Sequence, residues 1–183
     1  HNTAVIEDAN RYTYQQLADR VNQTGNALRA LGLSQESRIA LCLDNSFDYA
    51  CIFWGCIKSG LIPVNFNNGL VTEQFDYMLN DCRARVLIVD EQFYQKFAPI
   101  LARQTYLEQV IVVGDEGHGH KTYKELIQGH SSELDCAHTT ADDVALWLYS
   151  SGTTGHPKGV IHVHSSLFHV ANGMGSQVLN INE

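Results

Sequence analysis

Short apolar runs that are rich in β-branched residues alternate with helical patterns along most of this chain. Four of these runs occupy residues 38–43, 61–66, 86–89 and 110–113. Runs of this length are typical of buried strands, and the helical segments between them can serve as crossovers between parallel strands. The alternation therefore predicts an α/β fold, in which a mainly parallel sheet is flanked by helices on both faces.

Capping residues indicate where the first two helices begin and end. Thr13, with Gln16 three residues later, fits a capping box that begins a helix ending at Gly32. Ser46 is predicted to cap a second helix, which ends at Gly60. Three further helices are predicted, one beginning at Thr72, one over residues 93–103 and one over residues 123–127.

Apolar spacing predicts the face that the second helix buries. Ala50, Trp54 and Ile57 recur at helical intervals and are expected to face inward. Both tryptophans, Trp54 and Trp147, are predicted to pack in the core rather than to stack on a ligand.

The composition excludes several classes of function. The chain has 183 residues, of which 44% are hydrophobic and 17% are charged, and this is enough for a globular core. The net charge of −8 argues against a basic surface for nucleic acid or anionic lipid, so an anionic ligand must be attracted locally. No apolar run approaches the roughly 20 residues that would span a bilayer. Because the chain begins at His1 rather than Met, we expect the true start to lie upstream.

The cysteines indicate free thiols. Their number is odd, and neither a C-x-x-C pair nor zinc-type spacing occurs, which argues against a disulfide framework and a metal site. A reducing compartment, the cytoplasm, is therefore predicted. The five are Cys42, Cys51, Cys56, Cys82 and Cys136.

Residues 149–159 carry the clearest chemistry. They read Tyr-Ser-Ser-Gly-Thr-Thr-Gly-His-Pro-Lys-Gly, with three glycines, four Ser or Thr hydroxyls and one lysine. Apolar residues 144–148 precede this segment and β-branched residues 160–163 follow it, so a strand, a loop and a strand are predicted. Glycines let backbone N–H groups approach anionic oxygens, the hydroxyls donate, and Lys158 adds a positive charge. This pattern predicts a loop that binds polyphosphate.

The loop does not fit the Walker A pattern, because Pro157 stands where the second glycine is required. It fits S-[ST]-G-[ST]-T-G-x-P-K-G-V and so resembles the phosphate-binding loop of the adenylate-forming superfamily. That family includes acyl- and aryl-CoA synthetases, luciferases and the adenylation domains of peptide synthetases. Residues 58–65, 77–79 and 84–89 resemble further family elements, and residues 145–152 are most similar to benzoate-type CoA ligases.

The resemblance implies a fold and a reaction. The whole chain would be part of an N-terminal domain, with an α/β subdomain over residues 3–141 and a phosphate-loop segment over residues 142–183. The parent enzyme would use ATP and Mg²⁺ to activate a carboxylic acid, here an aromatic one, as an acyl-adenylate, and would transfer it to coenzyme A. The family's catalytic lysine, which lies on a lid, is expected downstream of Glu183, so no catalytic residue is assignable.

The resemblance also implies which residues contact the nucleotide. Phosphate binding is carried over to Ser150, Ser151, Gly152, Thr153, Thr154, Gly155 and Lys158. Gly155 and Gly159 would give the turn backbone freedom, and Pro157 would stiffen it. His164 matches the histidine of G-V-x-x-x-H and would line the acyl or nucleotide cavity, the alternative being a structural histidine.

Other polar residues have plainer interpretations. His162 and His164 would share a strand face, but no third ligand is indicated, so no metal site is predicted. Asp142 and Asp143 would point to opposite faces of a strand, which argues against a paired acid and base. Solvated loop positions are predicted for His118, His120 and His156.

Two other functions stay open from the sequence. One is an amino-acid-activating adenylation domain that serves a carrier protein, and the other is a non-catalytic nucleotide-binding fragment. The expected partners are a small carboxylic acid, ATP and coenzyme A, without nucleic acid or a membrane span, and the expected assembly is a homodimer.

Overall fold

The computed structural model describes residues 2–150 and 156–180. The strands in this part of the chain are β1 Thr3–Glu7, β2 Asn10–Thr13, β3 Arg38–Cys42, β4 Ile62–Asn65, β5 Val86–Asp90, β6 Gln109–Val113, β7 Lys121–Thr122, β8 Val144–Ser150 and β9 Lys158–Val163. The helices are α1 Tyr14–Arg29, α2 Phe47–Ser59, α3 Thr72–Asp81, α4 Tyr94–Phe97, α5 Tyr123–Ile127 and α6 His164–Val170, which continues as a π-helical segment over Ala171–Val178.

Strands β3 to β9 form one seven-stranded sheet in the order β7-β6-β5-β3-β4-β8-β9. The strands from β7 to β8 in this order are parallel, and β9 runs antiparallel beside β8. A separate antiparallel hairpin pairs β1 with β2. The predicted α/β fold with a mainly parallel sheet is confirmed.

The predicted helix caps form as expected. The Thr13 hydroxyl accepts from the backbone N–H of Gln16 at 3.3 Å, and the Gln16 side chain accepts from the backbone N–H of Thr13 at 2.8 Å. Ser46 accepts from the backbone N–H of Tyr49 at 3.0 Å, and α2 ends at Gly60, whose φ of 83° favours glycine. The first helix ends earlier than predicted, at Arg29.

The prediction of one helix over residues 93–103 is wrong. Only Tyr94–Phe97 is α-helical, and short 3₁₀ turns at Glu91–Phe93 and Leu101–Arg103 flank it. Pro99 lies between the two helical pieces, and a proline cannot donate the backbone hydrogen bond that would continue a helix.

The predicted buried face of α2 is also wrong, and Trp54 is 44% exposed rather than packed in the core. Cys51, Ile52 and Cys56 are the buried residues instead. This helix is apolar on nearly every side, so spacing alone does not choose a face. The choice follows from Gly55, where a Cβ would lie 2.9 Å from the Thr24 side chain of α1. The close approach of α1 and α2 therefore turns Trp54 outward.

A separate apolar cluster covers each face of the sheet. On one face, α3 and α4 contribute Phe75, Met78 and Phe97. On the other face, α1, α2 and α5 contribute residues such as Leu28 and Ile52. Trp147 is half-buried and packs against the first cluster, as predicted. The predicted helices on both faces of the sheet are thereby confirmed.

All five cysteines are free thiols, as the sequence predicted. Cys42, Cys51, Cys56 and Cys82 are buried, and Cys136 is exposed. Burial raises the pKa of Cys42, Cys51 and Cys82 to about 12, so these thiols are poor nucleophiles at neutral pH.

Among the described residues, none of the helices combines the length and the hydropathy that crossing a bilayer requires.

Candidate functional site

The carboxyl ends of the parallel strands meet at one edge of the sheet, where α/β proteins commonly bind ligands. The predicted phosphate loop leaves this edge between β8 and β9. Its two ends are described, because Ser150 is the last residue of β8 and Lys158 is the first residue of β9. The predicted strand, loop and strand are therefore present. Residues 151–155, which include the predicted phosphate ligands Ser151, Gly152, Thr153, Thr154 and Gly155, lie outside the described residues.

Ser150 and Lys158 lie directly opposite each other across the β8–β9 pair. Opposite residues of an antiparallel pair have Cα atoms about 5 Å apart, so both side chains can reach one anionic group. Both residues are exposed. Among the described residues no carboxylate forms an ion pair with Lys158. The hydroxyl of Ser150 and the ammonium group of Lys158, which has no carboxylate partner among the described residues, therefore lie side by side where the loop begins and ends.

A cavity of about 270 Å³ adjoins the ends of the loop. Asn67 and Leu70, which follow β4, form one side of it, and Tyr149, Ser150 and Pro157 form the other. Because β4 and β8 are neighbouring parallel strands, this cavity lies between the carboxyl ends of two adjacent strands. Such a position suits a ligand that extends from the phosphate loop across the sheet edge.

Tyr149 joins the strand before the loop to helix α3. Its hydroxyl donates to a carboxylate oxygen of Asp81 at 2.6 Å, and its ring meets Phe66 edge-on with centroids 5.8 Å apart. Burial, followed by the bond to Asp81, raises the pKa of Tyr149. The phenol is therefore a permanent hydrogen-bond donor at neutral pH.

Gly159 has a different role from the predicted one. It lies within β9, and it is absent from the glycines with positive φ in the described residues. A Cβ at this position would come within 3.3 Å of the Trp147 ring and 3.4 Å of the Tyr149 ring. The glycine therefore makes room for two aromatic side chains of β8, and the prediction that it supplies turn freedom is wrong.

His156 is exposed, as predicted, but its imidazole stacks on the ring of Tyr77 with centroids 4.4 Å apart and 19° between the planes. Tyr77 belongs to α3, and its hydroxyl donates to the second oxygen of Asp81 at 3.4 Å. Sequence reasoning missed both Tyr77 and Asp81 as neighbours of the loop. Their spacing of four residues places them on one helical face, but it does not indicate that this face meets the loop.

The structure does not bring His164 to the phosphate loop. His164 is the first residue of α6, and β9 separates it from Lys158 by about 20 Å at 3.3 Å per residue. It lines a different cavity of about 300 Å³, together with Trp54 and Lys58. The premise that His162 and His164 share a strand face is wrong, because β9 ends at Val163.

Another cavity of the same sheet edge, about 710 Å³, has an acidic lining that includes Asp44, Asp48, Asp90 and Glu91. Such a lining repels phosphate groups, and its Asp44 and Asp90 follow β3 and end β5, which lie two and three strands from β8. The electrostatics therefore favour the β8–β9 end as the site for an anionic ligand.

Three groups at this acidic end could share a metal ion: Glu91, Glu116 and His118. One Glu91 oxygen already accepts the backbone N–H groups of Asp115 and Glu116. His118 stacks on Tyr94 at 4.4 Å, and His120 contacts the Tyr94 hydroxyl at 3.1 Å. These contacts account for the orientation of both histidines, of which His118 is exposed and His120 half-buried.

Asp142 and Asp143 lie in the turn before β8 rather than on a strand. A carboxylate oxygen of Asp143 accepts the backbone N–H of Thr140 at 2.7 Å, and its carbonyl accepts the backbone N–H of His164 at 3.0 Å. The premise that the two aspartates lie on a strand is therefore wrong, and Asp143 is engaged in fixing the turn.

A family model described as AMP-binding enzyme matches residues 1–182. The chain is 41% identical over 182 residues to the benzoate–CoA ligase of Thauera aromatica, which covers 99% of this chain and 34% of that protein. The chain thus spans about a third of this relative's length.

Two solved structures share the fold. An anthranilate CoA ligase, AuaEII, in complex with anthranoyl-AMP matches with a TM-score of 0.93 at 33% identity, over 97% of this chain and 34% of that chain. A benzoate CoA ligase from Burkholderia xenovorans LB400 matches with a TM-score of 0.87 at 31% identity, over 98% of this chain and 35% of that chain. These matches confirm the predicted N-terminal adenylate-forming fold and the similarity to benzoate-type ligases.

Proposed function

The chain belongs to the AMP-binding enzyme family, and from this premise we propose that the protein it is part of is an acid–thiol ligase. It would activate an aromatic carboxylic acid as an acyl-adenylate and then transfer the acyl group to coenzyme A. The names of its relatives support this substrate class, because the Thauera protein is a benzoate–CoA ligase and one solved neighbour holds anthranoyl-AMP. The same names favour coenzyme A over a carrier protein as the acceptor.

The observation that carries the proposal is the pair formed by Ser150 and Lys158 at the mouth of a glycine- and hydroxyl-rich loop. In the first step, a carboxylate oxygen attacks the α-phosphorus of ATP, and the bond from that phosphorus to the bridging oxygen breaks as pyrophosphate leaves. Negative charge accumulates on the pyrophosphate. The Lys158 ammonium and the Ser150 hydroxyl would stabilise that charge, and Ser151, Gly152, Thr153, Thr154 and Gly155 would complete the phosphate contacts.

The second step explains why adenylation comes first. A thiol cannot displace oxide from a carboxylate, but it can displace AMP from an acyl-adenylate, because AMP is a good leaving group. The thiol sulfur bonds to the acyl carbon, its proton is released, and AMP departs. The loop's phosphate contacts serve the first step, so their removal is expected to slow adenylation more than thioester formation.

Mg²⁺ would accompany the nucleotide, because it usually binds through substrate phosphates and one or two carboxylates. The described residues around Ser150 do not form a three-ligand cluster of their own, since the cluster that exists lies beside β6. We therefore assign no residue of this chain to the metal. His164 is not included among the proposed nucleotide contacts. The cytoplasm, which the five free thiols support, and a homodimer both stay predictions.

ATP–pyrophosphate exchange by the full-length protein tests the proposal. We expect exchange with benzoate-like acids, little exchange with fatty or amino acids, and coenzyme A-dependent formation of the thioester. Lys158→Ala and Thr154→Ala should each lower the exchange rate by about 10²-fold, as loss of a charge-stabilising donor does. In the same two variants, the rate of acyl transfer from a preformed acyl-adenylate to coenzyme A should fall less than about 10-fold.

Lys124→Ala provides the matched control, because Lys124 is an exposed lysine on α5, away from the loop. It should leave both steps unchanged. Absence of exchange with every acid in a folded wild-type protein would overturn the proposed function. Equal slowing of both steps by Lys158→Ala would overturn the assignment of Lys158 to the phosphates.

A further inference from the structure

We propose that Tyr77 and Asp81 of α3 are positioning residues that fix both ends of the phosphate loop. The inference deepens the proposed function, because it assigns helix α3 a part in nucleotide binding although neither residue lies in the loop motif. The two residues would act through the loop, without contact to the reacting atoms.

The first attachment holds the strand that enters the loop. Tyr149 precedes Ser150 directly, and its hydroxyl donates to Asp81 at 2.6 Å. A phenol that donates to a carboxylate at this distance forms one of the stronger hydrogen bonds of proteins. The Tyr149 ring also packs edge-on against Phe66, and it lies beside Gly159, where a side chain would come into close contact with it. The position of Ser150 is therefore coupled to the end of α3.

The second attachment holds the residue at the other end. His156 stacks on Tyr77, and the Tyr77 hydroxyl donates to the second oxygen of Asp81 at 3.4 Å. Pro157, which follows His156, is buried. The Asp81 carboxylate thus accepts a hydrogen bond from the hydroxyl of each of two tyrosines. These tyrosines contact opposite ends of the same loop.

The location of Asp81 makes both donors important to it. Asp81 is the last residue of α3, where the helix dipole disfavours a negative charge. The two phenols compensate for that unfavourable position, since each donates to a different oxygen. A helix end that would otherwise favour a cation therefore carries an anion, and its two donors are Tyr149 beside the loop and Tyr77 of the same helix, whose ring stacks on His156.

The helix also provides an internal comparison. Asp76 lies on α3 as well, but it pairs with Arg103 at 2.8 Å and accepts from Gln104 at 2.6 Å, away from the loop. Replacing Asp76 disturbs the same helix without touching either attachment. A difference between the Asp76 and Asp81 variants would therefore report on the loop rather than on the stability of α3.

Hydrogen exchange in the full-length protein tests the inference without relying on activity. Asp81→Asn and Tyr149→Phe should each raise the exchange rate of the peptide that spans residues 150–158, and Asp76→Asn should not. Tyr77→Phe, which retains the ring stack, should resemble wild type more closely than Tyr77→Leu. Thermal unfolding of each variant checks that the protein is folded.

Kinetics supply the second measurement. Asp81→Asn and Tyr149→Phe should lower kcat/KM for ATP in ATP–pyrophosphate exchange by about 10-fold, while KM for the acid changes less than about 2-fold. The variant that combines Asp81→Asn with Tyr149→Phe should have a kcat/KM for ATP no lower than that of the slower single variant, because both substitutions remove the same hydrogen bond. Asp76→Asn should match wild type in both constants.

The outcomes separate this inference from the proposed function. Asp81→Asn could raise the hydrogen-exchange rate of the peptide over residues 150–158 while wild type shows no ATP–pyrophosphate exchange with any acid. In that case the positioning role stands and the proposed function fails. If Asp81→Asn and Tyr149→Phe match wild type in hydrogen exchange and in kcat/KM for ATP, the inference is overturned. Equal effects of Asp76→Asn and Asp81→Asn would also overturn it.

Discussion

The hydroxyl oxygens of Thr24 in α1 and Tyr123 in α5 lie 2.6 Å apart in the core. Thr24 also donates its hydrogen to the backbone carbonyl of Arg20 at 2.8 Å. Because a hydroxyl has one hydrogen, Tyr123 must be the donor to Thr24. Both residues are buried, and burial raises the pKa of Tyr123, so its proton stays in place at neutral pH.

This direction of donation predicts unequal effects of two conservative substitutions. Tyr123→Phe removes the donor and leaves Thr24 bonded to Arg20, so it should lower the free energy of unfolding by about 1 kcal/mol. Thr24→Val leaves the Tyr123 hydroxyl buried without an acceptor and should cost about 1–3 kcal/mol. Denaturant unfolding of each variant measures the two values.

The double variant provides the control for this pair. With both hydroxyl groups gone, no polar group is left unpaired, so the double variant should be more stable than the sum of the single effects implies. Strict additivity, or a larger loss for Tyr123→Phe than for Thr24→Val, would contradict the assigned direction of donation.

Gly55 sets the distance between α1 and α2. An added Cβ would lie 2.9 Å from the Thr24 Cβ and 3.3 Å from the backbone nitrogen of Gly25. An alanine in a helix is favoured over glycine by about 1 kcal/mol, but overpacking of a core typically costs about 1–3 kcal/mol. We expect the clash to dominate, because the contacted atoms are on or beside the backbone and have little freedom to move.

Thermal unfolding of Gly55→Ala should therefore give a lower melting temperature than wild type. Gly173→Ala is the matched control, since a Cβ at that position meets nothing within 4 Å. It should be neutral or stabilising. A melting temperature for Gly55→Ala at or above that of wild type would show that α1 and α2 can separate at little cost.

Features that depend on neighbouring residues were predictable from the sequence. The Thr13 capping box and the α2 boundaries at Ser46 and Gly60 are formed by residues within a few positions of each other. The strand order was beyond such reasoning, and so was the outward position of Trp54. The latter depends on how closely Gly55 lets α1 approach.

The candidate site divides in the same way. The loop and its flanking strands were predictable from residues 144–163, because their glycine, hydroxyl and β-branched content is local. The bond between Asp81 and Tyr149 joins residues 68 positions apart, and no local pattern indicates it. The premise that His162 and His164 share a strand face failed because β9 ends one residue before His164, at Val163.

Glu125 gives α5 a pH-dependent cap. Its carboxylate accepts from the Thr122 backbone N–H at 2.8 Å and from the Thr122 hydroxyl at 2.9 Å, and these bonds lower the pKa of Glu125. A carboxylate whose pKa is lower in the folded state stabilises that state above the unfolded pKa of about 4.3. The contribution is lost as the pH falls through the folded value.

Glu125→Ala should therefore lower the melting temperature at pH 7 and have a smaller effect at pH 4. The exposed Glu133 is a suitable control, because its side chain accepts no hydrogen bond among the described contacts, so Glu133→Ala should change the melting temperature little. Thermal unfolding of the three proteins at both pH values makes the comparison. A Glu125→Ala effect that grows towards pH 4 would mean that the unfolded state, rather than the folded cap, holds the charged form of Glu125 more favourably.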